Sequence, residues 1–200
     1  MRLNEALGTT AVLFLLGIVQ SSNYLPILLQ YLVAAIAITA AALDFRSRQV
    51  PNWLTLSGLI AGIAINSILY KAAGVLTSLE GIAAACLIYL PLYLLGGIGG
   101  GDVKLMAAIG ALVGPGHWLL IFVFTALFGG AAALLFILFK KQFGRTILNV
   151  AAIVKRVCRG QAPYRGAPEL DVRTSQGVGL PHAIVIACGA LAFLVAQASR

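Results

Sequence analysis

The chain consists of long apolar runs separated by short polar segments. The runs lie at about 8–23, 26–43, 53–70, 78–95, 103–114, 117–139 and 181–197, and most contain no charged residue. About 20 apolar residues are enough for a helix to cross the ~30 Å hydrocarbon core of a bilayer. The runs do not alternate with the period of two that a transmembrane β-strand requires. The pattern therefore predicts an all-α, polytopic transmembrane helix bundle of about six or seven spans.

The run at 103–114 is too short to span a bilayer. It offers about twelve residues, or roughly 18 Å of helix, before the Gly114-Pro115-Gly116 break. Either this helix extends through the break, or the segment before it dips into the membrane. Irregular backbone at membrane depth is tolerated where it lines an enclosed or water-filled cavity. The glycine-rich segment 96–101 is therefore a candidate cavity lining.

Composition and charge agree with a membrane location. Hydrophobic residues make up 60% of the chain and charged residues 10%, whereas a soluble domain carries about 25% charged residues. The net charge of +8 lies in the segments between apolar runs, where it is suited to anionic lipid rather than to nucleic acid. With the N-terminus inside and the segments alternating, twelve of the 14 Lys and Arg residues fall on the inner side. This distribution sets the orientation of the bundle.

Two units are predicted along the chain. Residues 1–25 form a short N-terminal membrane helix, and residues 26–200 form one membrane domain. That domain includes a basic segment at about 140–180, in which apolar residues recur at helical spacing. We expect an amphipathic helix on the inner leaflet there, and an ordinary solvated loop is the alternative.

Two of the six acidic residues stand out by position. Asp44 and Asp102 each lie where an apolar run meets the inner face, and ionisable groups at such places are functional candidates. Two carboxyls held together share one proton, because like charges resist joint ionisation. The ionised carboxyl takes a proton from water and the protonated one donates to a scissile carbonyl, with no need of a metal, a cofactor or a nucleophilic side chain. The alternative is that both are ordinary ion pairs, with basic neighbours at 46, 48 and 104.

The residues around both aspartates carry a family resemblance. The chain reads DFRSRQVPN over 44–52 and GGGDVKL over 99–105. Together these stretches resemble the type IV prepilin peptidase family of GxGD-type aspartic membrane proteases. The order, separation and inner-side placement of both motifs are similar to that family, as is the closing apolar run after Leu180-Pro181. The resemblance covers nearly all of the chain from about residue 31.

The resemblance implies that Asp44 and Asp102 are the catalytic pair and that the glycine-rich segment 96–101 is a glycine-rich catalytic loop. It also implies a prepilin or pseudopilin substrate, whose leader peptide is cut at the cytoplasmic face of the bacterial inner membrane. The neighbouring motif residues are expected to support the loops. Gly99 and Gly101 allow unusual backbone dihedrals and close approach of a substrate. Pro51 rigidifies the entry into the next helix and Asn52 caps it, while Lys104 either favours ionised Asp102 or holds a lipid phosphate.

The chain resembles the short form of the family. Larger members carry a cytoplasmic insertion with paired CxxC motifs and also methylate the new N-terminus, using S-adenosylmethionine. Here seven residues separate Asp44 from Asn52, and there is no cysteine pair. The short form is associated with Flp-type or tight-adherence pili, so methyltransferase activity is not predicted.

Two other functions remain open at this point. An ion-coupled transporter would use the two carboxylates to bind a cation or relay protons, but it would be expected to have polar residues deep within several spans. A non-catalytic subunit of a pilus or secretion machine would retain the fold alone. Neither His117 nor His182 is assigned to catalysis, and Trp53 and Trp118 are predicted to anchor helices at the membrane interface.

Overall fold

The computed structural model describes residues 25–95, 97–139 and 182–199, and these residues are helical with no strand. The described residues form four helical segments, α1 (Ile27–Ser47), α2 (Asn52–Leu94), α3 (Gly100–Phe139) and α4 (His182–Ala198). The first three include stretches long and apolar enough to cross a membrane, and α4 is a shorter apolar helix. The all-α membrane bundle is confirmed, whereas six or seven spans stays a prediction. The predicted helix at 8–23 and the basic segment at 140–180 lie outside the described residues.

Helices α2 and α3 are each folded back on themselves. The backbone leaves the helical region at Lys71 (φ 55°, ψ −135°) and at Gly114 (φ 73°, ψ 174°). Residues twelve apart on a straight helix would be about 18 Å apart, yet Asn66 Nδ2 lies 3.0 Å from Ser78 Oγ. The indole of Trp118 likewise donates to a carbonyl twelve residues earlier, at 3.0 Å.

Each of these helices is therefore an antiparallel hairpin with two arms. The arms of α2 are 52–70 and 72–94, and those of α3 are 100–113 and 115–139. They correspond to four of the predicted apolar runs, because an apolar stretch of helical length marks each arm.

The short first arm of α3 forms the centre of the bundle. Every residue from 105 to 114 is buried. A methyl group placed on Gly110 would overlap the backbone of Gly81, and the reverse also holds, so the two arms touch through their backbones. Small residues at such crossings allow membrane helices to pack closely. The chain reverses at Gly114, so this run does not continue straight through the break, as one predicted alternative required.

Asn66 caps the buried end of this arm. Pro115 has no N–H, so the carbonyl of Ala111 lacks the donor that a continuing helix would supply. The Asn66 amide lies 3.0 Å from that carbonyl oxygen and 3.1 Å from the carbonyl oxygen of Leu112. A side chain from α2 thus satisfies backbone groups that the break would otherwise leave unpaired in an apolar interior.

The helix termini gather at one end of the bundle, which we call the aspartate end. The end of α1 and the starts of α2 and α3 line one cavity there. The start of α4 joins them, because the N–H of Ala183 donates to Asp44. Lys71 and Gly114 mark the opposite end, as expected for arms that alternate in direction.

The two tryptophans differ in environment. Trp53 is exposed, in keeping with an interface anchor, but Trp118 is fully buried. The ring of Trp118 stacks on Phe122 with centroids 5.6 Å apart and meets Tyr89 edge to face at 6.2 Å. The prediction that Trp118 anchors a helix at the membrane interface is wrong, because its side chain is covered by the second arm of α2 and the first arm of α3.

We expect Asn66→Leu to destabilise the bundle. Leucine has a similar size but no donor, so the carbonyls of Ala111 and Leu112 lose their partner. A buried unpaired polar group costs about 1–3 kcal/mol, and the free energy of unfolding in detergent should fall by at least that amount. Ser57→Ala is the control, because that hydroxyl bonds to Leu54 O within its own helix. Equal stability losses in the two variants would contradict the capping role.

Candidate active site

Asp44 lies in the last turn of α1 and is bound by the start of α4. Its side chain is 8% exposed, and its Oδ2 accepts the N–H of Ala183 at 3.1 Å. The first turn of a helix presents unpaired N–H groups and a partial positive charge. The start of α4 therefore stabilises negative charge on Asp44. Helix α1 ends three residues later at Ser47, and the next residue, Arg48, adopts a left-handed conformation (φ 51°, ψ 31°).

Asp102 lies in the first turn of α3 and is held by its own turn. It is 7% exposed, and its Oδ2 accepts the N–H of Gly99 at 3.2 Å. In return, the N–H of Asp102 donates to the carbonyl of Gly99 at 3.1 Å. This reciprocal arrangement resembles a capping box, in which an acidic side chain in the first turn reaches back to the residue before the helix. The glycine turn thus sets the position of the carboxyl.

Both aspartates line one cavity of about 490 Å³, a size typical of ligand pockets. No group of three or more His, Cys, Asp or Glu side chains that could hold a metal occurs in the described part of the chain. The lining residues are Asp44, Ser47, Arg48, Gln49, Val50, Pro51, Asn52, Gly99, Gly100, Gly101 and Asp102.

The two loops that carry the aspartates pack directly on each other. A methyl group on Gly101 would lie 3.2 Å from the Cβ of Val50, which is tight for a carbon–carbon contact. Glycine is therefore favoured at 101 by the space that Val50 occupies. The unusual backbone dihedrals expected at Gly99 and Gly101 are not found. Among the described residues, Gly114 is the one glycine with a positive φ.

The supporting residues are arranged differently from the prediction. Helix α2 begins at Asn52, and Pro51 occupies the cap position (φ −65°, ψ 141°) without a side-chain capping bond. The predicted capping role of Asn52 is therefore wrong. Instead, Asn52 Oδ1 accepts a hydrogen bond from Lys104 Nζ at 2.9 Å. Lys104 is exposed and does not line the cavity.

The ion pairs of the alternative interpretation are not formed. Among the described residues, Asp44 makes no ion pair with Arg46 or Arg48, and Asp102 makes none with Lys104. Both carboxyls instead accept backbone N–H groups. The aspartates are thus placed as a pair facing a cavity, rather than as separate juxtamembrane charges.

The start of α4 is the part of the site that the sequence did not reveal. Ala183 lies 139 residues from Asp44, and a backbone donor has no characteristic residue type. His182, the first residue of α4, directly precedes the Ala183 N–H that binds Asp44, although no catalytic role was predicted for it. The available signal was the Leu180-Pro181 pair before an apolar run, which predicts the start of a helix but not its neighbours.

Residues 31–134, just over half of the chain, match the type IV leader peptidase family. The chain belongs to the type IV leader peptidase family. The match includes both aspartates and both loops of the cavity, and it ends before α4. No curated protein and no solved structure matches the chain. As a member of this leader peptidase family the chain is a membrane protease, and the family implies prepilin-like substrates.

We expect Gly189→Ala to lower leader peptidase activity by displacing α4. A methyl group at this position would lie 2.6 Å from the backbone nitrogen of Thr125 and 2.7 Å from its Cα. Helix α4 must shift, and the Ala183 N–H shifts with it. Because misplacement by 1 Å can reduce a rate about 100-fold, we expect the initial rate of prepilin cleavage to fall at least about tenfold.

Gly130→Ala is the matched control for this variant. A methyl group at Gly130 meets nothing within 4 Å, so the cleavage rate should equal that of the unmodified protein. Both variants are compared at equal amounts of folded protein, judged by size-exclusion chromatography. Equal rates in the two variants would show that the site does not depend on the placement of α4.

Proposed function

We propose that this leader peptidase is an aspartic endopeptidase in which Asp44 and Asp102 share one proton and activate a water molecule. The observation that carries the proposal is the cavity, which both buried carboxyls line. Among the residues that the structure describes, neither carboxyl forms an ion pair with Arg46, Arg48 or Lys104. Two carboxyls in this relation cannot both ionise easily, so one serves as base and the other as acid. A water-accessible cavity at the start of an apolar helix allows hydrolysis beside the bilayer.

In the proposed reaction, the two carboxyls carry out every proton transfer. The ionised carboxylate takes a proton from water, and the hydroxide oxygen bonds to the carbonyl carbon of the scissile peptide. The protonated carboxyl donates a hydrogen bond to the carbonyl oxygen as negative charge develops there. The carbon–nitrogen bond then breaks, and the leaving amine receives the proton taken from water. The pair returns to its single-proton state.

The cavity is suited to an extended peptide. Three of its lining residues are the glycines 99–101, which have no side chains to keep a substrate backbone at a distance. A prepilin has a short basic leader followed by an apolar helix. That helix enters the bilayer beside the bundle, which brings the bond between the leader and the helix to the aspartate end.

The substrate class follows from the short first loop. Four residues, 48–51, join α1 to α2, so this loop has no room for a cysteine-rich insertion. We therefore favour Flp-type or tight-adherence pilins as substrates, and cleavage without methylation of the new N-terminus. Charge supports a cytoplasmic site in the bacterial inner membrane, since Arg46, Arg48 and Lys104 lie at the aspartate end, and basic residues concentrate inside.

Replacing either aspartate by asparagine should abolish cleavage. Asparagine keeps the size of the side chain but cannot transfer the proton, and acid–base catalysis of this kind contributes about 10²–10⁴-fold. Co-expression with prepilin should leave the precursor uncut by Asp44→Asn or Asp102→Asn, with unchanged enzyme levels in the membrane. Glu80→Gln is the control, because Glu80 is exposed and does not line the cavity. Substantial cleavage by either asparagine variant would refute the aspartic mechanism.

The orientation can be tested by cysteine labelling. In a background with the three native cysteines replaced, Arg46→Cys marks the aspartate end and Lys71→Cys marks the opposite end. A membrane-impermeant maleimide added to spheroplasts should label position 71, and inside-out vesicles should be labelled at position 46. The reverse pattern would place the cavity on the outer side of the membrane.

A further inference from the structure

A side-chain bond joins the two segments that flank the cavity. Lys104 Nζ donates to Asn52 Oδ1 at 2.9 Å, across 52 residues of sequence. Asn52 is the first residue of α2 and lines the cavity. Lys104 lies at the start of the second turn of α3 and is not among the residues that line the cavity. The bond is charge-assisted, but both side chains are exposed. It therefore restrains the relative position of the two segments and contributes little to global stability.

The geometry of α3 explains what this bond controls. Residues three apart share one face of a helix, so Gly101 and Lys104 face the same way. Gly101 rests on Val50, and Lys104 binds Asn52, so one face of the α3 start is held at two points. Asp102 follows Gly101 and is turned about 100° around the helix axis, toward the cavity.

We propose that Lys104 and Asn52 are a positioning pair that fixes the rotation of the α3 start and so keeps the Asp102 carboxyl in the cavity beside Asp44. The inference rests on the proposed aspartic mechanism. A carboxyl about 5–6 Å from a helix axis moves about 1 Å for every 10° of rotation. Displacements of that size reduce catalytic rates about 100-fold, so a small loss of rotational restraint has a large effect.

The neutral partner of Lys104 is also chemically suitable. An amide oxygen holds the ammonium without adding a third carboxylate near the pair. The ammonium does not bind Asp102 in the described structure, and a direct ion pair would favour the ionised form of that carboxyl. Asn52 thus restrains Lys104 while the aspartates remain able to share a proton.

The test compares kcat and KM for prepilin cleavage in four variants. Lys104→Met removes the donor, Asn52→Leu removes the acceptor, a third variant combines both, and Lys104→Arg retains a donor. We expect each single loss to lower kcat about tenfold or more with KM within twofold. The double variant should be no slower than the slower single variant. Each single variant already removes the whole bond, so the second substitution has nothing further to remove. Lys104→Arg should stay within about threefold of the unmodified kcat.

Arg46→Met is the matched control for charge. It removes an exposed cation from the same end without altering the cavity lining, so its kcat should be unchanged. Thermal unfolding of all variants in detergent should coincide, because the bond is exposed and contributes little to global stability. A lower unfolding temperature that accounts for the loss of kcat would overturn the positioning role.

Three further results would also overturn it. A raised KM with unchanged kcat in Lys104→Met would indicate substrate contact, and multiplied losses in the double variant would indicate two independent roles. A loss confined to vesicles containing anionic lipid would indicate that Lys104 acts through a headgroup. Asp102→Asn is measured in parallel. If Asp102→Asn is active, the proposed mechanism is contradicted. If Asp102→Asn is inactive and Lys104→Met has a normal kcat, only the positioning pair is contradicted.

Discussion

Two carboxyls buried at the end of an apolar bundle must be supplied with hydrogen-bond donors, and the arrangement of the helices meets this requirement. Burial of an unpaired charge costs several kcal/mol. Asp44 receives the N–H at the start of α4, and Asp102 receives the N–H of the residue preceding α3. Helix starts can meet at one end because the chain reverses within α2 and α3. The directions of the helices therefore decide which backbone N–H groups reach the two aspartates.

The rigidity of the site comes from the buried first arm of α3. At one end, Gly99 and Asp102 exchange hydrogen bonds. At the other end, the Asn66 amide donates to the two buried carbonyl oxygens that the helix break leaves without a helical donor. Between them, backbone contact at Gly81 holds the arm in place. In a bilayer such packing is favoured by close contact rather than by exclusion of water, so small residues, rather than large apolar ones, locate the arm that carries Asp102.

Local patterns accounted for the helices and for much of the cavity. The run at 53–70 became an arm at 52–70, and the run at 103–114 became an arm at 100–113. Composition marks apolar stretches well but marks their ends poorly, since a helix can extend into polar residues, as α1 does beyond Asp44. Apolar patterning also cannot distinguish lipid from protein as the covering surface, which is why Trp118 was misplaced.

The sequence by itself determined that the chain is a helical membrane protein, that its helices alternate in direction, and that both aspartate motifs lie on one side. These properties follow from residue-by-residue transfer energies and from short motifs, so no contact between distant segments is needed to predict them. The tertiary structure alone decided that the last helix binds Asp44, that Lys104 binds Asn52, and that Asn66 caps a helix of another hairpin. Each of these depends on segments that are far apart in the chain, and a backbone N–H or a shared face leaves no signature in residue type.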